Sequence, residues 1–481
     1  MFLCRNGELS RLHSLYKSGH FECAAIYGRR RVGKTALINE FVRDKNNVIY
    51  FPALNSNARD NLIALSRSIQ NYLLPSIVSV PVYPSFDAAF DAVTEAARRN
   101  HLIVVIDELQ YLAKAGGSIM DALCRHAGSD WSGTDMLLIL CGSPAGFMEK
   151  ELVGTRGMLS DCITERIRLG PLNYLDTAGF NPGLSPADNA LVYALTGGIP
   201  HYINKLGVKT DLRDAIINNV LDSSSYLFEE PENLLKTELR EPAVYNSIIT
   251  AIANGCSRLG DIAGATGMES SACSKYITTL TELGIVHKVE PVIGKSRRKT
   301  QYRIGDNLFR FWYRFVPENM INITSGRPDS VYDRSVDSSL DQYMRLPFEE
   351  ICRQYLTNHS KELPADIKEV GEWWGQLSEE PNTGRHRNAE AHLDIVAVSG
   401  QSVSSGRQYI IGSCKYTDEP VGTDELDRMR RTVAEFTDAN DECYYYIFAK
   451  KGFTKDLEER RDAGEVRLVS IDEIYNNIKV Q

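Results

Sequence analysis

The sequence predicts an α/β protein in which two sheet-containing units enclose a mostly helical middle. In the first third of the chain, short apolar runs alternate with helical patterns, and each run precedes a polar or glycine-containing turn. Such runs are typical of buried parallel strands. They occupy residues 23–28, 47–53, 102–108 and 136–143. A helical pattern follows at 171–233. The last third predicts a second α/β unit, with a helix near 343–356 and strands near 393–398, 408–414 and 443–449.

The composition is that of a globular protein with two to four domains. Of the 481 residues, 43% are apolar and 24% are charged, and the net charge is −9. Any contact with nucleic acid must therefore come from a local basic patch. The ten cysteines include no pair at CxxC spacing, which argues against a zinc knuckle. Neither a signal peptide nor a membrane-spanning run is recognisable, and we expect a soluble cytoplasmic protein without a membrane partner.

Residues 28–35 match the phosphate-binding pattern GxxxxGK[ST] between a strand-like run and a helix-forming run. Glycine lets such a loop turn so that backbone N–H groups converge on phosphates, and the helix N-terminus adds partial positive charge. Lys34 would reach the β- and γ-phosphates, and the Thr35 hydroxyl would ligate Mg²⁺. The sequence thus predicts a P-loop NTPase that binds ATP with Mg²⁺. Nucleotide binding is assigned to Gly28, Arg29, Arg30, Arg31, Val32, Gly33, Lys34 and Thr35.

The run 102–108 supplies the acidic half of this site. Asp107 would lie at the C-terminal edge of a buried strand and hold Mg²⁺ through water. Glu108 would point away from Asp107, as successive strand residues do, and is the candidate general base. Ser143 either senses the γ-phosphate or belongs to a plain strand-end turn. A charge-stabilising finger could come from Arg156, Arg166 or Arg168, among which the sequence does not choose.

These motifs resemble the archaeal and bacterial P-loop ATPase family of the AAA+/STAND group. Phe2, Arg5, Glu8 and Leu9 match its Fxx-R-xx-EL segment. Residues 106–112 match IDE-x-QYL, 141–143 match a Cys-Gly-Ser strand end, and 197–202 match GG-I-P-x-Y. The resemblance covers residues 1–230. It implies that Pro200 lies in a helical lid near the nucleotide, whereas spacing alone would make Pro200 a helix stop.

The middle of the chain predicts a DNA-binding or packing module. Three helices at 243–255, 258–267 and 270–286 have the spacing of a helix-turn-helix, and a hairpin at 287–304 follows. This arrangement resembles a winged helix, which the family has in this position. Either the hairpin contacts DNA phosphates or the module serves protein contact. The basic residues of the hairpin are Lys288, Lys295, Arg297, Arg298, Lys299 and Arg303.

The last third resembles the C-terminal domain called DUF234, which looks related to PD-(D/E)xK nucleases. The resemblance implies a metal site with Glu349 as the helix acid, Asp394 as the strand acid and Lys415 as the lysine that activates water. Ser413 replaces the family's acid two residues before the lysine, and His392 stands where relatives often have Glu. Because serine ligates Mg²⁺ poorly compared with a carboxylate, cleavage of DNA is expected to be weak or absent.

These inferences define the expected architecture and function. The ATPase core is expected at 1–170, the helical lid at 171–235, the winged helix at 236–320 and the nuclease-like domain at 335–481, after a polar linker at 323–338. The first hypothesis is a slow Mg²⁺-dependent ATPase whose nucleotide state controls the other domains. The alternatives are an ATP-regulated DNA nuclease of a defence or DNA-processing type and a DNA-binding regulator. A protein partner and oligomer formation remain open.

Overall fold

The computed structural model describes residues 3–74, 81–143, 145–209, 211–294, 299–376, 390–400 and 406–476. The chain forms two compact units. The first comprises Met1–Pro171 and Ile199–His201, and the second comprises Leu172–Gly198 and Tyr202–Gln481. Within the described residues, no helix has both the length and the apolar character needed to cross a membrane.

A parallel sheet forms the centre of the first unit. Its strands are β1 Glu22–Tyr27, β2 Val48–Pro52, β3 Leu102–Asp107, β4 Met136–Gly142 and β5 Glu165–Arg168. Their order across the sheet is β2-β3-β4-β1-β5. The helices are α1 Asn6–Tyr16, α2 Lys34–Val42, α3 Ala58–Leu73, α4 Phe86–Arg99, α5 Leu109–Ala115, α6 Gly117–Arg125 and α7 Ala145–Phe147. Two π-helical turns lie at His126–Asp130 and Met148–Val153.

The apolar runs become β1 to β4 because helices cover both faces of the sheet. Every residue of β1, β3 and β4 is buried. Phe41 of α2 packs in the apolar cluster on one face, and Val93 of α4 packs in the cluster on the other. Continuous apolar strands are what such two-sided burial requires. The sequence analysis missed β5, since Ile167 is the one apolar residue among its four.

Helices dominate the first part of the second unit. They are α8 Tyr174–Ala178, α9 Pro186–Thr196, α10 Pro200–Leu206 (whose first two residues belong to the first unit), α11 Leu212–Asn219 and α12 Tyr226–Glu238. The three helices expected next are α13 Pro242–Ala253, α14 Leu259–Thr266 and α15 Ser270–Glu282. An antiparallel hairpin of β6 Val286–Val289 and β7 Gln301–Ile304 follows them. Helix α16 Asn307–Thr324 then leads towards the C-terminal domain.

The polar stretch 323–338 is helical rather than the irregular linker expected from its composition. It contains the end of α16, α17 Pro328–Val331, a π-helical turn at Tyr332–Val336 and the start of a 3₁₀ turn at Asp337–Ser339. Val331, Tyr332 and Val336 are buried. These three buried side chains attach the stretch to the core, whereas the polar residues around them suggested a loop.

A mixed sheet forms the C-terminal domain. Its strands are β8 Ile367–Gln376, β9 Glu390–Ser399, β10 Gln408–Lys415, β11 Glu442–Ala449 and β12 Arg467–Ser470. They run in the order β12-β11-β10-β9-β8, parallel from β10 to β12 and antiparallel from β8 to β10. The helices are α18 Leu340–Asn358, α19 Thr423–Val433, α20 Lys455–Asp462 and α21 Ile471–Tyr475, with a 3₁₀ turn at Ser360–Glu362.

Candidate functional site

The predicted phosphate-binding loop joins β1 to α2 and depends on two glycines. Gly33 has φ +96° directly before α2, a left-handed conformation that favours glycine. Gly28 leaves no room for a side chain, because a Cβ there would lie 2.2 Å from the Leu169 carbonyl oxygen. Both glycines of the motif are therefore required by the backbone, and the loop ends at a helix N-terminus suited to an anion.

Lys34 lies inside the loop and is 8% exposed. Its ammonium group donates hydrogen bonds to the carbonyl oxygens of Gly28 at 3.1 Å and Arg29 at 3.0 Å. Burial lowers the pKa of Lys34, and the nearby charges of Asp107 and Glu108 oppose this effect. A phosphate group would make stronger, charge-assisted bonds to the ammonium than these carbonyls do.

Thr35 and Asp107 lie side by side, where the sequence placed the metal. The Thr35 hydroxyl donates to Asp107 Oδ2 at 3.1 Å, and the same oxygen accepts from the Tyr50 hydroxyl at 2.7 Å. Burial and the Asp107 carboxylate raise the pKa of Tyr50, so the phenol keeps its proton. A hydroxyl and a carboxylate in contact fit Mg²⁺ bound beside a nucleotide. The sequence analysis missed Tyr50, which reaches Asp107 through the pairing of β2 with β3.

Glu108 is not part of the strand that contains Asp107. The expectation that the two side chains alternate as successive strand residues is therefore wrong. Strand β3 ends at Asp107, and Glu108 adopts φ +57° at the start of α5. Its direction is set instead by Gln110, whose side-chain amide donates to the Glu108 carboxylate. Gln110 is buried, and its amide oxygen accepts from the Ser143 backbone N–H at 3.0 Å. One side chain thus connects the candidate base to the end of β4.

The end of β4 is shaped to admit Gln110. A Cβ at Gly142 would lie 2.7 Å from the Gln110 amide oxygen and 2.5 Å from Met148 Sδ. Ser143 follows and is buried. Its hydroxyl has no hydrogen-bond partner among the described residues. The Cys-Gly-Ser strand end therefore provides room for Gln110 and presents a buried hydroxyl beside it.

The remaining loop residues are held by neighbouring backbone and side chains. Arg30 donates to the Tyr111 hydroxyl at 2.8 Å. Arg31 adopts φ +72°, which is uncommon for a residue with a side chain. Val32 is buried. These contacts and the burial of Val32 hold the loop in place, and a role for Arg29, Arg30, Arg31 and Val32 in nucleotide binding stays a prediction.

The N-terminal segment supports the loop from outside the sheet. Arg5 donates to the Val32 carbonyl oxygen at 3.4 Å and to the Gly170 carbonyl oxygen at 2.5 Å. Glu8 pairs with Arg5 at 3.1 Å. Arg5 and Glu8 of the N-terminal motif therefore have a structural task, whereas Phe2 lies outside the described residues.

Pro200 lies near the loop within the first unit. A Cβ at Gly33 would lie 3.9 Å from Pro200 Cγ. Pro200 begins α10 rather than ending a helix, and proline suits the first helical position because the N–H there needs no intrahelical partner. The preceding Gly197 and Gly198 both have positive φ. A role for Pro200 in nucleotide binding stays a prediction.

The candidate arginine fingers differ in their surroundings. Arg166 donates to the Val153 carbonyl oxygen at 2.6 Å and to the Ser160 carbonyl oxygen at 3.3 Å. Arg156 and Arg168 are exposed. Because Arg166 is hydrogen-bonded to the segment that follows β4, it is poorly suited to move onto a nucleotide. The geometry does not distinguish between Arg156 and Arg168.

A second cluster of charged side chains lies in the C-terminal domain. It borders a cavity of about 580 Å³. The lining residues are Asp341, Gln342, Arg345, Glu390, Ala391, His392, Asp394, Cys414, Lys415, Tyr416, Thr417, Arg428 and Thr432. The cavity thus contains two of the three residues predicted for a nuclease-like site, Asp394 and Lys415.

Glu349, the third predicted residue, is fully buried on α18. Neither of its carboxylate oxygens has a hydrogen-bond partner among the described residues, although Arg345 and Arg353 lie 3.5 and 3.9 Å away. Burial, followed by the negative charge of Asp394, raises the pKa of Glu349 to about 7. The structure therefore brings Glu349 into the neighbourhood of Asp394.

Glu425 of α19 brings a carboxylate to Ser413, the position at which the nuclease resemblance implies an acid. Its carboxylate accepts from the Ser413 hydroxyl at 2.6 Å and pairs with Lys415 at 3.0 Å. Arg428 donates to the same carboxylate through Nε at 3.1 Å and to the His392 carbonyl oxygen at 2.9 Å. Sequence reasoning missed Glu425, which lies on another element, twelve residues along the chain from Ser413.

His392 bridges two carboxylates. Its Nδ1 lies 3.2 Å from Asp394 Oδ1, and its Nε2 lies 3.1 Å from Glu372 Oε2. Although burial acts in the opposite direction, these two contacts raise the pKa of His392 to about 9. Glu372 also accepts from Arg303 at 2.8 and 2.9 Å, which connects β7 of the hairpin to β8.

Part of the basic hairpin is therefore engaged within the protein. Arg303 is paired with Glu372, and Lys288 pairs with Glu290 at 2.8 Å. Lys295, Arg297 and Arg298 lie outside the described residues. The expected contact between this hairpin and DNA phosphates stays a prediction that rests on those three residues and Lys299.

Two family models match the chain. Residues 2–206 match an ATPase domain found predominantly in Archaea. Residues 312–429 match DUF234, which comprises archaeal and bacterial proteins of unknown function. The chain carries an archaeal ATPase domain followed by a DUF234 domain. The resemblance to an archaeal ATPase family and to DUF234 is confirmed. The ATPase match contains Lys34, Asp107, Glu108, Gln110 and Ser143, and the DUF234 match contains the cavity residues from Asp341 to Arg428.

The similarity to other proteins covers much of the chain. An uncharacterised protein of Methanocaldococcus jannaschii is 27% identical over 403 residues, which is 83% of this chain and 84% of the relative. A Walker-type ATPase of Pyrococcus abyssi is 20% identical, with a TM-score of 0.49, and the match covers 65% of this chain and 96% of that one. The ORC2 protein of Aeropyrum pernix is 16% identical, with a TM-score of 0.43, over 68% of this chain and 94% of that one.

Proposed function

We propose that the protein binds Mg²⁺–ATP at residues 28–35, hydrolyses it slowly, and uses the bound nucleotide as a switch. The observation that carries this proposal is the chain of contacts from Thr35 through Asp107 and Glu108 to Gln110 and Ser143. It places the hydroxyl, the two carboxylates and the end of β4 at one edge of the parallel sheet, next to the phosphate-binding loop. Ligands of α/β proteins bind at this carboxyl edge.

The loop residues bind and orient the nucleotide in this proposal. Lys34 exchanges its two carbonyl partners for the β- and γ-phosphates, and the backbone N–H groups before α2 bind the phosphate oxygens. Thr35 and Asp107 would hold Mg²⁺, and the ion would supply positive charge beside the phosphates. Tyr50 keeps the Asp107 carboxylate turned towards Thr35, because its hydroxyl donates to the oxygen that Thr35 also contacts.

Glu108 orients or deprotonates the attacking water, and Gln110 positions Glu108. A carboxylate can perform this task only if it faces the γ-phosphate side of the site. The left-handed backbone at Glu108 and the amide of Gln110 both restrict its direction. Ser143 would contribute its hydroxyl to the same region. Lys34, Glu108 and Ser143 are the proposed catalytic groups.

The switch would act through Pro200 and α10. Pro200 lies beside the phosphate-binding loop, and α10 continues to Tyr202, whose hydroxyl donates to the buried Glu230 of α12 at 3.0 Å. A nucleotide shifts this equilibrium only if it binds two arrangements with different affinity. In this proposal the γ-phosphate favours the arrangement in which Pro200 lies against the loop, and its loss releases α10.

The binding step can be tested by calorimetry with ATP and Mg²⁺. Lys34→Ala should abolish measurable binding, since the ammonium is the main positive charge on the β- and γ-phosphates. The control is Lys17→Ala, because Lys17 is an exposed residue directly after α1 and its replacement removes the same charge. Unchanged ATP affinity in Lys34→Ala would show that the phosphate-binding assignment is wrong.

A further inference from the structure

The cavity of the DUF234 domain presents protein cations where a nuclease-like site needs a metal ion. Asp394 is the acid on which such a site would depend, and both of its oxygens are engaged. Oδ1 faces His392 at 3.2 Å. Oδ2 accepts from the Cys414 backbone N–H at 2.8 Å and lies 3.4 Å from the Ser413 hydroxyl oxygen, whose hydrogen is donated to Glu425. A metal ion at Asp394 would have to compete with these contacts.

The His392 ring lies between two acidic side chains at this position. Its two nitrogens face carboxylate oxygens of Asp394 and Glu372. The ring therefore occupies the space between the Asp394 and Glu372 carboxylates.

Glu425 supplies a carboxylate beside Ser413, but it does not create a metal site. Its carboxylate lies at Ser413, but Lys415 and Arg428 already neutralise it. Across the part of the chain that the structure describes, no group of three or more His, Cys, Asp or Glu side chains is arranged to hold a metal ion. Mg²⁺, which the nuclease resemblance implies, does not fit the residues present in this cavity.

We propose that this cavity binds a phosphate-bearing anion directly, without a divalent metal ion, through Arg345, Lys415 and Arg428. These three side chains line the cavity and retain N–H donors beyond their internal contacts. Lys415 uses one donor on Glu425, and the Arg345 side chain is 65% exposed. Guanidinium groups suit phosphate because their forked donors match its oxygens.

The acidic side chains that line the cavity do not cancel the positive charge of Arg345, Lys415 and Arg428. Asp341 is paired with Lys450 at 3.0 Å, and Asp394 accepts from the Cys414 backbone N–H at 2.8 Å and lies 3.2 Å from the His392 ring. Glu390 remains as an exposed carboxylate at the edge. A volume of about 580 Å³ is within the usual range for small-ligand pockets and would hold a nucleotide or one phosphate unit of a polynucleotide.

The test uses full-length Lys34→Ala protein, so that the phosphate-binding loop does not contribute. Two probes are titrated in EDTA: a fluorescein-labelled single-stranded oligodeoxynucleotide and AMP. We expect at least one probe to bind, and we expect Lys415→Gln or Arg345→Gln to weaken it about tenfold or more, as for a lost charge-assisted bond. The control is Arg431→Gln on the exposed side of α19, which removes the same charge outside the cavity.

Each outcome decides the proposal. Binding of the oligonucleotide alone identifies a nucleic-acid backbone as the source of phosphate, and binding of AMP alone identifies a free nucleotide. No binding of either probe, a need for Mg²⁺, or binding unaffected by both cavity variants would overturn the proposal. Arg345→Gln keeps the test valid if Lys415→Gln does not fold, because Arg345 is mostly exposed.

A second measurement addresses the metal itself. Mn²⁺ is titrated into Lys34→Ala/Asp107→Asn protein with and without Asp394→Asn. Equal Mn²⁺ binding by the two proteins is expected, and a site lost with Asp394→Asn would contradict the proposal. ATP binding by protein with an intact Lys34 is measured separately, so failure of the ATPase proposal and failure of the cavity proposal are distinguishable.

Discussion

Replacing Gln110 should slow ATP hydrolysis while leaving ATP binding nearly unchanged. Gln110 is buried and donates to the Glu108 carboxylate, and it accepts from the Ser143 backbone N–H. Gln110→Met preserves the length of the side chain and removes both hydrogen bonds. Gln110→Glu keeps the acceptor for Ser143 and removes the donor to Glu108. The two variants therefore separate the contact with Glu108 from the contact with Ser143.

The size of the effect follows from the lost hydrogen bond. A hydrogen bond to a charged carboxylate contributes about 1.5–3 kcal/mol. If that energy holds Glu108 in the direction needed for attack, its loss lowers kcat by about ten- to hundredfold. The phosphates bind to Lys34 and the loop backbone rather than to Gln110, so KM should change by less than about threefold.

Steady-state ATPase assays with phosphate detection measure both quantities. Lys114→Met, an exposed position on the same helix, is the control and should keep the wild-type kcat. Gln110→Glu should be at least as slow as Gln110→Met, because a second carboxylate would repel Glu108. A wild-type or increased kcat in both Gln110 variants would refute the view that Gln110 positions the base.

The other predictions concern β4, the DUF234 domain and the hairpin. Gly142→Ala should lower kcat, because its Cβ would lie 2.7 Å from the Gln110 amide oxygen, and should lower the unfolding free energy by about 1–3 kcal/mol in urea melts. Burial raises the pKa of Glu349 from 4.5 to about 7, so the folded state binds this proton more tightly than the unfolded chain. Stability should therefore fall as the pH rises through this window, and Glu349→Gln should remove the dependence in melts at pH 5 and pH 8. Wild-type protein should cleave plasmid DNA weakly or not at all with Mg²⁺ or Mn²⁺, and strong wild-type cleavage lost in Asp394→Ala would contradict this. Neutralising Arg297, Arg298 and Lys299 together should weaken any DNA binding similarly across sequences and flatten its salt dependence, and an unchanged salt slope would show that the hairpin does not contact phosphate.

Local patterns were sufficient to predict much of the first unit. The loop Gly28–Thr35 and Asp107 are contiguous with strands and a helix whose apolar residues repeat regularly. Two-sided burial makes such strands recognisable from one segment at a time. Short or polar elements were harder, as β5 and the helical stretch 323–338 show, because a few buried side chains decide their structure.

Contacts between distant segments could not be derived from one sequence. Tyr50 meets Asp107 only because β2 pairs with β3. Glu425 reaches Ser413 from a separate helix. Gln110 stood within the IDE-x-QYL motif, yet its partner Ser143 is set by the neighbouring strand. The motif identified the region, and the three-dimensional pairing of strands assigned tasks to the individual side chains.

The identity of the nucleotide retained by Glu108→Gln tests the central claim most directly. The amide preserves the shape of the side chain and removes the carboxylate that would orient or deprotonate water. After incubation with ATP and Mg²⁺ and removal of free nucleotide, the bound nucleotide is extracted and separated by ion-exchange chromatography. Glu108→Gln should retain ATP under conditions in which the wild type retains ADP. The same ratio of ADP to ATP in both proteins would contradict the assignment of hydrolysis to Glu108.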